Sequence, residues 1–475
     1  MPTTPAARRD QAARAQVREI DRRIVALALP SLGTLLVQPL LLIVDSAMVG
    51  HLGTAPLAAL ALATTIVSTI TGLCVFLAYA TTSTASRLMG AGKHKQAISA
   101  GLDGMWLGAL LGALLFAVLL LGASPVVSWF SPSPDVAIGA TTYLRLISPG
   151  LVGMLLALAA TGALRGMLDA RTPLWVATAG AVVNVPLNYL FIYGLDMGVG
   201  GAGLGTAVTE MLMAVALALA VARAARRHQV SLLPKFGGVL ASAKDGWPLF
   251  VRTLSMRVAM LAAVWGATVA GEVTLAGYQV VNSVWNLAAF GLDALAIAAQ
   301  ALTGKAIGAG DTALLRATLR RSTQWATRSG ALVGAAMLVL SPWLPLIFGA
   351  HLAPSAASPG QGQWWAEQWA ALFAAGSVHA SATWALALAG PLFPLASYVF
   401  ILDGVLIGAG DGRYLAKAGL VILSIHLPAL AGLTWLSRQV GEPWALSLLT
   451  LGFAGVFMVG RALANGRRAA TSDWY

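Results

Sequence analysis

From residue 24 to residue 463 the sequence passes through twelve apolar stretches of about 20 residues or more, separated by short polar connectors. They lie near 24–49, 57–86, 103–123, 136–166, 173–194, 201–223, 246–270, 274–303, 325–348, 384–408, 415–437 and 444–463. A helix of about 20 apolar residues crosses the hydrocarbon of a bilayer. Only 10% of the 475 residues are charged, against roughly 25% in a soluble domain. So little charge cannot cover a water-facing surface, and the pattern predicts an all-α polytopic membrane protein of twelve transmembrane helices. Gly and Pro inside the spans fit this reading, because neighbouring helices re-satisfy the freed backbone groups. The lone Cys74 cannot form an internal disulfide and reads as a small buried hydrophobe.

A net charge of +12 raises the question of a nucleic-acid partner. The placement of the charge argues against one. With the amino terminus in the cytoplasm, 26 of the 30 Lys and Arg fall on the cytoplasmic side, beginning with Arg8, Arg9, Arg14, Arg18, Arg22 and Arg23. Arg461 is counted among them. The opposite side keeps Arg438, and Arg145, Arg252 and Arg257 lie within or near spans. This is the positive-inside asymmetry. An odd number of spans would scramble it, so both termini are expected in the cytoplasm and the protein in the inner (plasma) membrane. Residues 1–23 are polar and arginine-rich without an apolar core, which reads as a tail and not as a signal peptide.

The chain also repeats itself. Gly90-Ala91-Gly92 after span two returns as Gly308-Ala309-Gly310 after span eight, an offset of 218. Gly166 to Arg171 after span four returns as Gly408 to Arg413, an offset of 242. The extra residues fall between spans nine and ten. His351 to Ala371 fits an external insertion there, near 350–371, with Trp364, Trp365 and Trp369 at the lipid–water interface. Six spans per half give both halves one orientation, hence a parallel repeat. The expected organisation is a basic tail (1–20), two pseudo-symmetric six-helix lobes (21–230 and 231–465) and a short tail (466–475). Two such lobes suit alternating access.

An ionisable side chain at mid-bilayer costs at least ~2.5–3.5 kcal/mol and usually faces a cavity or a partner. Asp45, Asp103, Glu210, Asp293 and Asp403 lie within or near spans. Asp45 follows Pro30, Gln38 and Pro39 in span one, and both prolines permit a bend there. Desolvation disfavours a carboxylate's charged form, so such a group can take up a proton and release it when water enters. A satisfied structural carboxylate is an equal alternative. Asn184 and Asn188 share one face of span five, with Pro186 between them; Thr206 opens span six, and Tyr189 and Tyr193 offer hydroxyls. These groups can orient a carboxylate, coordinate a cation or join helices. Glu210 is expected to pair with Arg145. Asp293 and Asp403 are expected to line the second lobe or cap helices near Arg257. Tyr278, Gln279, Asn282 and Asn286 give span eight a polar face.

Other strings carry no chemistry. Gly198 to Gly203 spells G-x-G-x-x-G but follows a hydrophobic helix, not a strand. Gly308 to Asp311 and Gly408 to Asp411 spell G-x-G-D at span ends, where glycine terminates helices. The six histidines lack metal-ligand spacing, so neither a metal nor a cofactor is expected.

The run Pro39 to Gly53, with Asp45 inside it, is similar to the first-helix signature of the multidrug and toxic compound extrusion (MATE) transporters. Ala298 to Leu302 with Gly308-Ala309-Gly310 resembles that family's eighth-helix motif. Leu402 to Asp411 resembles the tenth-helix motif of its DinF-type branch. The resemblance implies two six-helix lobes that open outward and inward in alternation. It implies export of varied, often cationic or amphipathic small molecules, driven by a proton or sodium gradient. By position, Asp45 would be the amino-lobe acid, Asn184 its amide neighbour, Thr206 the sixth-helix hydroxyl and Pro30 the bending proline. Asn188 stands where relatives can carry a second aspartate, which favours proton over sodium coupling. Gln38, Tyr189, Tyr278, Gln279, Asn282, Asp293, Asp403 and Arg257 are the substrate-cavity candidates, and Pro30 and Pro39 the hinge. A monomer in the lipid bilayer is expected, acting on lipophilic cations. The rival readings are a lipid-linked oligosaccharide flippase, which favours a strongly cationic cavity, an intramembrane aspartyl protease using Asp293 and Asp403, and a channel.

Overall fold

A computed structural model of the chain describes residues 5–349, 372–374 and 376–475, with side chains from Arg14 onward. The insertion expected at 350–371 lies outside the described residues. Twelve long helices follow one another: α1 (Pro5–Gly50), α2 (Thr54–Gly90), α3 (His94–Ser128), α4 in two pieces (Pro134–Ile147 and Gly150–Gly166), α5 (Arg171–Gly194) and α6 (Gly198–Arg227). Then come α7 (Phe236–Ala270), α8 (Glu272–Gly308), α9 (Thr312–Leu340), α10 (Val378–Ala409), α11 (Gly412–Val440) and α12 (Ala445–Ala470). Among the described residues ten helices are long and apolar enough to cross a membrane, and α4 makes eleven when its pieces, bent by 52°, count as one span. Arg320, Arg321, Gln324 and Arg328 dilute the hydropathy of α9, but its 29 residues reach about 43 Å, enough to cross.

Each helix coincides with one of the twelve apolar stretches and most outrun it at one or both ends, while α9 stops at Leu340, short of its stretch. The residues read as a free tail continue α1 from Pro5, with Arg23 bonded to Glu19 four residues away at 2.7 Å. Hydropathy marks where lipid begins. The i to i−4 bonding that makes a helix does not stop there.

The chain divides into two compact units. The first comprises residues 1–250, 297–319 and 407–412; the second comprises 251–296, 320–406 and 413–475. The first unit's core gathers Val49 of α1, Leu60 of α2, Leu119 of α3, Tyr143 and Leu151 of α4, and Ile192 of α5. In the second, Trp285 stacks edge-on against Phe393 at 5.1 Å within a cluster from α7, α8, α9, α10, α11 and α12.

The duplication is visible atom by atom. A Cβ on Gly162 would fall 2.5 Å from the Ala78 carbonyl oxygen, and one on Gly404 would fall 2.4 Å from that of Ala296. Gly166 meets the Thr82 carbonyl in the same way at 2.9 Å, and Gly408 that of Gln300 at 2.3 Å. Gly162 and Gly166 are separated from Gly404 and Gly408 by the 242-residue offset, and Ala78 and Thr82 from Ala296 and Gln300 by the 218-residue offset. One close helix crossing, possible only for glycine, thus occurs in both halves.

The helix ends repeat too, with one exception. Gly92, Gly310 and Gly410 terminate their helices in the left-handed region, at φ of 71°, 66° and 86°. The residue matching Gly410 in the first half is Leu168, held at φ 66°. A side chain there costs roughly 1–2 kcal/mol, partly offset by glycine's greater chain entropy. Leu168→Gly is therefore expected to stabilise the protein by about 1 kcal/mol, read as a rise of about 1 °C in unfolding temperature in detergent.

Candidate functional site

In the first unit, α1, α5 and α6 bring the predicted polar residues together. Asp45 is 5% exposed, and Asn184 and Asn188 are buried. The Asn188 Nδ2 donates to Asp45 Oδ1 at 2.6 Å and to Asn184 Oδ1 at 3.0 Å. Asn184 Nδ2 in turn donates to Thr209 Oγ1 at 3.3 Å. The four-residue spacing on α5 sets both amides on one face. Pro186, between them, removes a backbone donor, and α5 closes in a widened π turn at Leu190–Gly194. Thr209 was missed in the sequence, although its three-residue spacing from Thr206 is the signal that would have found it.

Among the described residues Asn188 Oδ1 has no hydrogen-bond partner. The Thr206 hydroxyl stands within hydrogen-bonding reach of Asp45 and Tyr143. No Lys, Arg or His pairs with Asp45 among the described residues. The Asn188 carboxamide is held against α6 by Gly205, whose added Cβ would lie 1.9 Å from Asn188 Oδ1. Gly205→Ala is expected to push Asn188 off Asp45 and cost about 1–3 kcal/mol. Thermal unfolding checks this, and Gly205→Ala combined with Asn188→Ala should recover most of the loss.

The other candidates of this unit lie around the cluster. Tyr193 donates its hydroxyl to the Met48 carbonyl, and Tyr189, 64% exposed, packs on the Tyr193 ring at 5.3 Å. Pro30 and Pro39 both lie inside an unbroken α1. Pro30 borders an open groove of about 690 Å³ lined with Asp21, Arg22, Arg171 and Trp175, away from Asp45. The expected Glu210–Arg145 pair is absent. Arg145 is exposed, whereas Glu210 is buried and accepts from Gln38 Nε2 at 2.9 Å. Gln38 and Glu210 face each other from α1 and α6, and Arg145 of α4 is exposed.

The second unit holds a different arrangement. Asp403, 4% exposed, takes ion pairs from Arg252 of α7 and Arg461 of α12, and Asn465 Nδ2 donates to its other oxygen at 2.7 Å. Asp293, half-buried on α8, also acts on Arg461. Two expectations are corrected. Asp403 lies within α10 and pairs with Arg252 and Arg461 instead of capping a helix near Arg257, and Arg461 is not a loop charge. The apolar pattern placed Arg461 at the edge of its span, but α12 continues past it and turns it inward. The cavity beside them is about 10 Å³, the volume of one water at most. With its charge met by two arginines, Asp403 also fails the protease reading, which needs an acid shared with Asp293. Arg257, Asn282 and Asn286 are half-buried and Gln279 is exposed, while Tyr278 packs against the apolar core. These groups form no connected polar network with Asp403.

The comparisons with known proteins agree with this architecture. Residues 30–190 and 248–358, more than half of the chain, match the family model described as MatE. Protein DETOXIFICATION 44, chloroplastic, of Arabidopsis thaliana is 28% identical over 430 residues, 85% of this chain and 75% of that protein. A probable multidrug resistance protein NorM of Chromobacterium violaceum is 30% identical over 189 residues, 39% of this chain and 40% of that protein. The crystal structure of the Vibrio cholerae MATE transporter VcmN in the bent form superposes with a TM-score of 0.79 at 19% identity, covering 95% of this chain and 98% of that one. A likeness at that identity shows the fold.

Proposed function

Since this chain belongs to the MatE family, a family of transporters and not of enzymes, we propose that it is a secondary antiporter exporting small organic molecules, lipophilic cations among them, in exchange for protons. The observation that carries this reading is Asp45. It is a buried carboxyl with no cation opposite it among the described residues, held by the Asn188 amide beside the Thr206 hydroxyl and the unpartnered Asn188 Oδ1. Such a group can exchange a proton without dismantling a salt bridge. The NorM relative's name, multidrug resistance protein, agrees with export.

When Asp45 gains a proton it becomes a weaker acceptor for Asn188, whose amide then rests on Asn184 alone. The Thr206 hydroxyl is placed to accept the new O–H. This rearranges the seam between α1, α5 and α6, and Pro30 and Pro39 let α1 bend in response. Coupling requires proton and substrate to favour different states. Sodium is the second reading, favoured by the Asn188 and Thr206 side-chain oxygens beside a carboxylate, though a single acid gives it little compensating charge. The proposed location is the cell membrane, both termini cytoplasmic, following the Lys and Arg asymmetry. Within the family we place the chain with the DinF-type branch on the Leu402 to Asp411 motif.

Reconstitution into liposomes with separately imposed proton and sodium gradients, across a panel of cationic dyes, tests this. A proton gradient alone is expected to drive dye efflux. Transport that responds to neither gradient would sink the reading.

A further inference from the structure

Asp45 is not the only buried acid of the first unit without a cation. Glu210 is 4% exposed, and its one side-chain hydrogen bond comes from Gln38. Gly150 and Gly153 of α4 bring that helix against the α6 backbone at Ala207 and Glu210, where added Cβ atoms would sit 2.7 and 2.8 Å away. This closes Glu210 off on one side. Gln38 is exposed, so on the other side the carboxyl lies one side chain beneath the surface of its unit.

The placement is a ladder. Gln38 and Asp45 are seven apart and share a face of α1; Thr206 and Glu210 are four apart and share a face of α6. α1 ends at Gly50 and α6 begins at Gly198. Gln38 and Glu210 are each twelve residues from those ends, about 18 Å in, whereas Asp45 is about 7 Å in. Glu210 is thus the same kind of group one rung deeper, about 10 Å along α1. Tyr143 of α4, itself buried, lies within electrostatic reach of both acids.

The groups facing Glu210 can be named helix by helix. They are Gln38 of α1 and Tyr143 of α4, with Thr206 one turn away on α6 itself; Asp45 of α1 and Asn184 of α5 lie in the neighbouring cluster. Arg145 of α4 is exposed. Arg87 of α2, Lys95 and Asp103 of α3 and Arg171 of α5 sit toward the opposite helix ends. Ionised, Glu210 has no cation opposite it; protonated, it needs none. Gln38 serves either form: its N–H donates to the carboxylate, and after an amide turn its oxygen accepts from the carboxyl O–H. A lysine there would fix the charge.

We infer that Glu210 is a second proton-carrying site, loaded beneath Gln38 and set one rung deeper than Asp45, so that each transport cycle moves two protons. The count of two rests on the antiport reading above; the protonation of Glu210 does not. In loading, the carboxylate oxygen gains a proton from water and the O–H bond forms with no other bond broken.

Infrared difference spectra of the purified full chain, recorded between alkaline and acidic pH without substrate or gradient, test the protonation. Two protonated carboxyl bands are expected, one lost in Asp45→Asn and the other in Glu210→Gln. In liposomes, Glu210→Gln is expected to halve the protons moved per dye molecule. Carboxyl bands and proton count both unchanged in Glu210→Gln would overturn the inference. If that variant does not insert, Gln38→Leu keeps the acid and removes its amide, and the Glu210 band must then shift; an unshifted band overturns the inference too. A Glu210 band that titrates while no proton gradient drives efflux counts against the antiport reading alone. An Asp45 band and proton-driven efflux without a Glu210 band count against this inference alone.

Discussion

Asp403→Ala is expected to lower the unfolding temperature of the protein by about 3–5 °C, because removing one partner of a buried ion pair costs roughly 3–5 kcal/mol. The substitution leaves the Arg252 and Arg461 guanidiniums, 7% and 5% exposed, facing each other without the carboxylate between them. It also strips Asn465 of its acceptor. The three elements tied by Asp403 are α7, α10 and α12, so the damage falls on the second unit's core, which includes Trp285. Tryptophan fluorescence during thermal unfolding reads it directly. The combination Asp403→Leu, Arg252→Met and Arg461→Leu removes charge and desolvation penalty together, and should restore stability to within about 1–4 kcal/mol of the parent or above it. A single variant as stable as the parent would mean that the cluster is solvated in a way its burial contradicts.

That cluster also shows where a sequence stops being legible. The twelve spans could be read because lipid demands uninterrupted apolar runs, and the duplication because glycines that allow a close helix crossing recur at fixed offsets. The Asp45 cluster was partly legible, since Asn184 and Asn188 advertise a shared face through their spacing. What could not be read is which faces of different helices meet. Asp403 and Arg461 lie 58 residues apart and Gln38 and Glu210 lie 172 apart, and no periodicity within one helix points to a partner in another. Glu210 was matched to Arg145 because both were charged residues near spans. The structure instead gives Glu210 a neutral amide, which turns a salt bridge into a group that can change charge. Leu168 was invisible for another reason. Its sister position holds glycine, but only the backbone angle shows that the leucine has been forced into glycine's conformation.

The largest functional effect is expected at Asp45. Asp45→Asn keeps the side chain's shape, and its remaining oxygen still accepts from Asn188 Nδ2, so the unfolding temperature should hold within about 1 °C, equivalent to about 1 kcal/mol. What the amide lacks is the ability to gain a proton. A coupling free energy of about 1–3 kcal/mol corresponds to a 5–150-fold change, and its loss should bring gradient-driven dye efflux down to that of empty liposomes. Asp45→Ala should lose transport equally but also stability, by about 1–3 kcal/mol, because one amide hydrogen of buried Asn188 is left without an acceptor. The pair of variants separates chemistry from packing: equal transport defects with unequal stabilities place the function in the exchangeable proton. Asp45→Asn protein that still concentrates dye against a proton gradient at the parent's rate would show that the carboxyl is scaffolding for Asn188 and nothing more.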